Sequence, residues 1–153
     1  MSIRFVNRSG RACLWLETGF VDLEHGSNGR FPSDPMQALS RWFDIAEWAS
    51  GLPAGAAEGP VVEEQLGPPV PRPTKVFAIG LNYRDHAAEA GLPIPELPLV
   101  FTKFPNCLVG PRHPVELSSE YVDWEVELVV VIGRRGRGIK ANEAAEYIAG
   151  YTV

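Results

Sequence analysis

The sequence predicts an α+β protein, with a small N-terminal α/β module followed by a second domain that is rich in strands. Short β-forming runs open the chain, a helical pattern follows Pro35, and further β-forming runs come after a proline-rich segment. The chain has 153 residues, and a domain of this length buries about 68–70% of its unfolded surface. Its 14 prolines favour turns and ordered loops over long helices.

The first elements are predicted to be strands. Residues 3–6 and 12–17 are β-forming runs joined by a turn-forming segment at 7–10, which predicts a hairpin. Residues 21–23 predict a third, short strand.

A helix is predicted next. Ser33 or Asp34 followed by Pro35 is a typical helix start, with proline in the first turn. Apolar side chains then recur at helical spacing and predict a face packed on a core: Met36, Leu39, Phe43 and Ala46.

The boundary between the two domains is predicted from composition. Residues 51–60 are small and flexible, and residues 68–73 are a proline-rich spacer. The sequence therefore predicts an N-terminal module over residues 1–70 and a second domain over residues 71–153. In the second domain, strands are predicted at 76–79, 99–103, 115–117, 123–132 and 151–153, with helices after Gly80 and over 142–148.

Two carboxylates, Glu125 and Glu127, lie at the start of the β-forming run 123–132. Side chains two apart on a strand share a face and lie about 7 Å apart. Their repulsion is about 2 kcal/mol at an effective dielectric constant near 20. A divalent cation would turn this repulsion into attraction, since hard cations prefer carboxylate oxygens. The alternative is that both side chains face water at a strand end.

His86 and Glu89 form a second pair, three residues apart on a predicted helix. At this spacing they are neighbours on one helix face. A carboxylate beside an imidazole raises its basicity and fixes its orientation, as a general base requires. The alternative is an ordinary His–Glu pair on a helix surface.

Four segments in order resemble the fumarylacetoacetate hydrolase family. They are Gly-Leu-Asn-Tyr-Arg-Asp-His-Ala-Ala-Glu at 80–89, Pro-Leu-Val-Phe-Thr-Lys-Phe at 98–104, Val-Asp-Trp-Glu-Val-Glu-Leu-Val-Val-Val-Ile-Gly at 122–133 and Tyr-Ile-Ala-Gly-Tyr-Thr-Val at 147–153. The resemblance is close over 71–153 and loose over 1–70. It implies that the second domain is the first part of a mixed β-roll, barrel-like catalytic domain, truncated at Val153.

The resemblance also implies a site. It would use Mg²⁺, or Mn²⁺ or Ca²⁺, and its substrate would be a small 2-oxo or β-diketo acid. Carried over by position, the site residues are Glu125 and Glu127 as metal ligands, His86 and Glu89 as the pair that activates water, and Tyr83 and Lys103 near the substrate. A third metal ligand, an aspartate, is expected beyond Val153. Relatives of this kind are commonly homodimers.

The implied reaction is hydrolysis of a carbon–carbon bond in an acylpyruvate or fumarylacetoacetate type of substrate. A metal-chelated enolate and water activated by the His–Glu pair would carry it. One alternative is an isomerase or an oxaloacetate-type decarboxylase on the same scaffold, since fold does not fix the reaction. The other is a non-catalytic fragment.

Composition excludes other classes of partner. The formal net charge is −5, which argues against nucleic acid and anionic membranes as partners. The basic run at 134–137 is interpreted as a solvated turn. Two cysteines in unrelated segments and no recognisable signal peptide predict a cytoplasmic protein. The unpaired apolar strands near the end of the chain predict that it self-associates or is poorly stable.

Overall fold

The computed structural model describes residues 3–153. Contacts divide the chain into two compact units, Met1–Pro71 with Val109–Val153, and Arg72–Leu108. The mixed α/β architecture is confirmed. The predicted boundary after residue 70 stays a prediction, and the contacts group the last segment of the chain with the N-terminal module.

The N-terminal module contains a four-stranded antiparallel sheet with the strand order β3-β2-β1-β4. A tight turn joins β1 to β2, with Ser9 at a φ of 49° and Gly10 at 83°. Two consecutive positive φ angles are typical of the turn that matches the natural twist of a hairpin. The strands are β1 (Arg4–Arg8), β2 (Arg11–Leu16), β3 (Gly19–Asp22) and β4 (Leu66–Gly67).

Three short helices follow β3: α1 (Leu23–Gly26), α2 (Pro35–Leu39) and α3 (Trp42–Ala49). Asp34 caps α2, because its carboxylate accepts the backbone N–H groups of Met36 and Gln37 at 3.0 Å each. The single helix predicted after Pro35 is therefore two helices. Across residues 3–153, none of the helices combines the length and the apolar composition that crossing a membrane would require.

The interruption between α2 and α3 has a local cause. The hydroxyl of Ser40 donates to the backbone carbonyl of Gln37 at 2.6 Å. A continuing helix would use that carbonyl for the amide of Arg41, which instead donates to Ala38 at 2.9 Å. Serine competes with the helix in this way because its side chain reaches nearby backbone groups.

The core of this module lies between β2 and the helices. Phe31 is fully buried and packs its ring against Trp48, with the ring centroids 5.4 Å apart. The helices therefore cover one face of the sheet. The other buried apolar residues of this cluster are Ala12, Leu14, Leu23, Ala38, Ile45 and Ala49.

The second unit is built on a hairpin of β5 (Val76–Gly80) and β6 (Leu99–Lys103), with α4 (Arg84–Glu89) between them. Much of its apolar surface is exposed: Phe101 is 51% exposed, Phe104 73% and Leu97 78%. An exposed apolar patch of this kind is typical of a surface that binds another protein surface or a ligand. Self-association of the chain stays a prediction.

A last hairpin is formed by β7 (Val129–Ile132) and β8 (Ile148–Thr152), with a 3₁₀ segment at Ala141–Tyr147. The predicted helix over 142–148 is thus a 3₁₀ segment, and Gly150 lies inside β8.

The strand predicted over 123–132 is wrong in its first half. β8 pairs only with residues 129–132, and no strand of the described chain pairs with 123–128. Without a partner, the backbone groups of an extended segment have no ladder to join. The strand predicted at 115–117 is absent from the described structure for the same reason.

Candidate functional site

The candidate helix α4 is positioned by a turn that leaves β5. Leu81 lies in this turn with a φ of 53°, the left-handed region that leucine rarely adopts. Tyr83 then returns to extended backbone, with φ −113° and ψ 131°, directly before the helix. Ala87 is the buried residue of α4, at 1% exposure, and anchors the helix to its unit.

The end of α4 is fixed by a left-handed residue. Gly91 has a φ of 64°, and its N–H donates to the carbonyl of Ala88 at 3.1 Å. The N–H of Leu92 donates to the carbonyl of Ala87 at 2.9 Å. This pair of bonds is the Schellman arrangement, which needs glycine at the left-handed position. The short helix therefore has a defined end directly after the candidate residues.

The structure places two of the predicted site residues, His86 and Glu89, on this helix and Tyr83 at the position directly before it. His86 and Glu89 are three residues apart, so they are neighbours on one side of α4. His86 and Glu89 are exposed, and Tyr83 is 46% exposed. All three side chains are accessible to a small molecule.

Lys103 lies at the end of the β5–β6 hairpin opposite to the turn that leads into α4. It pairs with Val76 at the start of β5, whereas the turn into α4 leaves from Gly80, which pairs with Leu99. About 13 Å of strand rise separates the two ends. Lys103 is exposed, so its charge remains available to a ligand.

Glu125 and Glu127 lie in the irregular segment before β7, in the other compact unit, and both are exposed. The strand that was predicted to carry them begins only at Val129. Among residues 3–153, no three His, Cys, Asp or Glu side chains gather closely enough to hold a metal ion. The donor set of the described residues does not complete a metal site.

Sequence reasoning missed one concave feature. A cavity of about 370 Å³ lies between the start of α3 and the segment after β7, and arginines from both places line it: Arg41, Arg134 and Arg135. The basic run at 134–137 was visible in the sequence. Its proximity to Arg41 results from the fold and has no local signal.

Comparison with known proteins supports the resemblance. The family model described as "Fumarylacetoacetate (FAA) hydrolase C-terminal" matches residues 75–153. All six predicted site residues lie in this range.

Two relatives show how much of the chain is shared. Oxaloacetate tautomerase FAHD2A, mitochondrial, of Bos taurus is 51% identical over 87 residues, which cover 56% of this chain and 28% of the relative. The fumarylacetoacetate hydrolase domain-containing protein 2 homolog of Dictyostelium discoideum is 44% identical over 153 residues, covering 95% of this chain and 49% of the relative. The chain thus spans at most about half the length of these relatives.

The fold is also shared with a solved structure. The crystal structure of a candidate HpcE protein from Mycobacterium smegmatis superposes with a TM-score of 0.83 at 45% identity. The match covers 96% of this chain and 52% of that chain.

The predicted cytoplasmic location is wrong. The matched oxaloacetate tautomerases of Bos taurus and Homo sapiens are named as mitochondrial proteins. The prediction rested on cysteine usage and on the start of the sequence, and neither feature distinguishes the cytoplasm from the mitochondrial interior. With the family model matching more than half of its residues, the chain belongs to the fumarylacetoacetate hydrolase family.

Proposed function

We propose that this chain forms part of an enzyme that interconverts the keto and enol forms of a small 2-oxo acid, with oxaloacetate as the substrate. The observation that carries the proposal is the 51% identity, over 87 residues, to an oxaloacetate tautomerase. This reaction is the isomerase alternative that the sequence left open, and it needs neither water nor cleavage of a carbon–carbon bond.

His86 is the proton carrier in this proposal. Tautomerisation moves one proton from C3 of the keto acid to the oxygen at C2, while the electron pair of the C–H bond becomes the C2–C3 double bond. A neutral imidazole accepts the C3 proton, and the imidazolium returns a proton to the oxygen. The accessible position of His86 on α4 supports this role.

Glu89 assists from the same helix, and Tyr83 assists from the position directly before it. The carboxylate of Glu89, three residues from His86, is proposed to accept a hydrogen bond from the imidazole and limit its rotation. The phenol of Tyr83 supplies a hydrogen bond to a substrate oxygen. Lys103, at the other end of the hairpin, is proposed to attract the substrate carboxylates through its positive charge without touching a substrate held at His86.

Glu125 and Glu127 are proposed as two ligands of a divalent metal ion, Mg²⁺ or Mn²⁺ or Ca²⁺. Because the described residues gather no set of three ligands, we derive no reaction step through the metal. The ligand role has its own test. In a calorimetric titration of the chain with Mn²⁺, we expect a dissociation constant above about 1 μM. Glu125→Gln should weaken the binding further. Submicromolar binding that persists in Glu125→Gln would contradict the assignment.

The activity is tested with the enol form of oxaloacetate, whose ultraviolet absorbance falls as the keto form appears. His86→Gln should reduce the catalysed rate by at least about 100-fold, the usual contribution of a positioned general base. His113→Gln is the matched control, since His113 is exposed and carries no assigned role. Glu96→Gln is the matched control for Glu89→Gln, because Glu96 is another exposed carboxylate of the same unit.

Hydrolysis is the second candidate, favoured by the description of the matching family model. Cleavage of an acylpyruvate without acceleration of tautomerisation would replace our proposal with this one. If His86→Gln abolished cleavage but left oxaloacetate decarboxylation intact, the role of His86 would be to activate water. A chain that accelerates none of these reactions would support the non-catalytic alternative.

A further inference from the structure

An open groove lies between the start of α3 and the segment that follows β7. Two adjoining cavities of about 370 and 300 Å³ share the residues Ser40, Gly133, Arg134 and Arg135. We call this feature the α3 groove. It contains none of the six predicted site residues.

One end of the α3 groove is basic. Arg41, Arg134 and Arg135 line it against a single carboxylate, Asp44. The excess of two positive charges is local, because the whole chain has a net charge of −5. The first turn of α3 also borders this end, and no side chain of the described residues caps the helix. The helix dipole therefore adds to the positive potential.

Two of the guanidinium groups are held in place by the protein. Arg41 donates from Nη1 to the backbone carbonyl of Arg30 at 2.7 Å, and its Nη2 lies 3.5 Å from Asp44 Oδ2. Arg134 stacks on the ring of Phe43, with its Cζ 4.0 Å from the ring centroid. Side chains that are ordered beforehand lose less entropy when a ligand binds.

The other end of the α3 groove is mostly apolar, although Arg134 and Arg135 reach it as well. Its lining comes from α2, from the spacer before β5 and from β7: Met36, Leu39, Val70, Val131 and Ile132. The cavity at this end is near the lower limit of pockets that hold small molecules. A ligand that fits both ends has a charged head and a short apolar tail.

We propose that the α3 groove binds a small organic anion, with an oxyanion head against the arginines and a short apolar tail along Met36 and Leu39. The planar fork of arginine matches both carboxylate and phosphate oxygens, so the head is one of these two groups. Nucleic acid does not fit, because three arginines at one end of a groove form no extended basic face.

The proposal is tested by calorimetric titration of the 153-residue chain with hexyl phosphate and with hexanoate. Inorganic phosphate, acetate and hexanol serve as probes that lack either the tail or the charge. Arg135→Gln should weaken binding of the preferred amphipathic probe by about tenfold or more, because hydrogen bonds between charged groups are strong. Arg137→Gln is the matched control: it removes the same charge two residues away, from an exposed side chain outside the groove.

Met36→Gln tests the apolar end with a side chain of similar shape. It should weaken binding of the amphipathic probe while leaving the head-only probe unchanged. Thermal melting of each variant checks that the fold is intact. Hexyl phosphate binding while hexanoate does not, or the reverse, identifies the head.

Three results would overturn the proposal. The first is no saturable binding of either amphipathic probe at about 10 mM, a concentration above any affinity of biological use. The second is that Arg135→Gln and Arg137→Gln weaken binding of the amphipathic probe equally, which would show that only the net charge of the chain matters. The third is binding of hexanol, or of a head-only probe, as tight as that of the amphipathic probes.

Discussion

Arg11 and Asp22 form a two-point ion pair between neighbouring strands, with Nε 2.5 Å from Oδ2 and Nη2 3.0 Å from Oδ1. Asp22 is almost fully buried and also caps α1, accepting the N–H groups of Glu24 at 3.0 Å and His25 at 3.1 Å. One carboxylate therefore joins β2, the end of β3 and the first helix.

Asp22→Ala should lower the free energy of unfolding by about 2 kcal/mol, because both the ion pair and the helix cap are lost. Asp22→Asn should lose only part of this, since asparagine still caps a helix. Asp44→Ala is the control: its pair with Arg41 is long and exposed, and is worth about 0–1 kcal/mol. Urea denaturation measures all three, and equal losses for the two alanine variants would contradict the role of Asp22.

Stability should fall in acid through the same carboxylate. Burial alone would raise the pKa of Asp22. The hydrogen bonds from Arg11 and from the amide of His25 lower this pKa by more than burial raises it, so the pKa in the folded protein lies below the ordinary value. The contribution of ionised Asp22 to the free energy of unfolding is therefore complete above its pKa in the unfolded chain, about 3.9. It is lost as the pH falls through its pKa in the folded protein. Unfolding free energies measured from about pH 6 to about pH 3 should fall more steeply in the native protein than in Asp22→Asn. Parallel profiles would show that Asp22 is not responsible.

The two cysteines should differ in reactivity. Burial raises the pKa of Cys13 to about 12, and its side chain is 1% exposed, whereas Cys107 is exposed. Because the thiolate is the reactive form, a thiol reagent at about pH 8 should modify one cysteine in the folded chain and both in urea. Cys107→Ser should abolish the rapid reaction. Rapid reaction of two thiols without denaturant would show that β2 is not packed as described.

Gly133 allows α3 to lie against the last hairpin. A methyl group added there would lie 2.7 Å from Cβ of Ala149 and 3.2 Å from Cε2 of Phe43. Gly133→Ala should lower the melting temperature, with a loss of about 1–3 kcal/mol from overpacking. Gly150→Ala is the control in the adjacent strand, because a methyl group there meets nothing within 4 Å. Equal melting temperatures for the two variants would contradict this contact.

The elements that depend on local signals could be predicted from the sequence. The bounds of β6, Leu99–Lys103, match the prediction, because an apolar run between prolines has few alternatives. The helix carrying His86 and Glu89 could be placed for a similar reason, since Gly80 ends the preceding strand and no proline interrupts the following turn.

The elements that depend on partners distant in the sequence could not be predicted from it. Glu125 and Glu127 lie in a β-forming run, but strand formation requires a pairing segment, and β8 reaches no further than Val129. The meeting of Arg41 with Arg134 is likewise invisible in the sequence, since the two residues are far apart along the chain. The candidate site follows the same rule: the residues of each pair could be named, but the position of one pair relative to the other is a property of the fold.

The left-handed backbone of Leu81 has a consequence for hydrogen exchange. A leucine in this region costs about 1–2 kcal/mol relative to ordinary backbone, and local opening of the turn releases that cost. The helix that follows has only six residues and one buried side chain, so little opposes the opening. Amides of α4, including that of the candidate proton carrier His86, should therefore exchange with solvent much faster than those of β2.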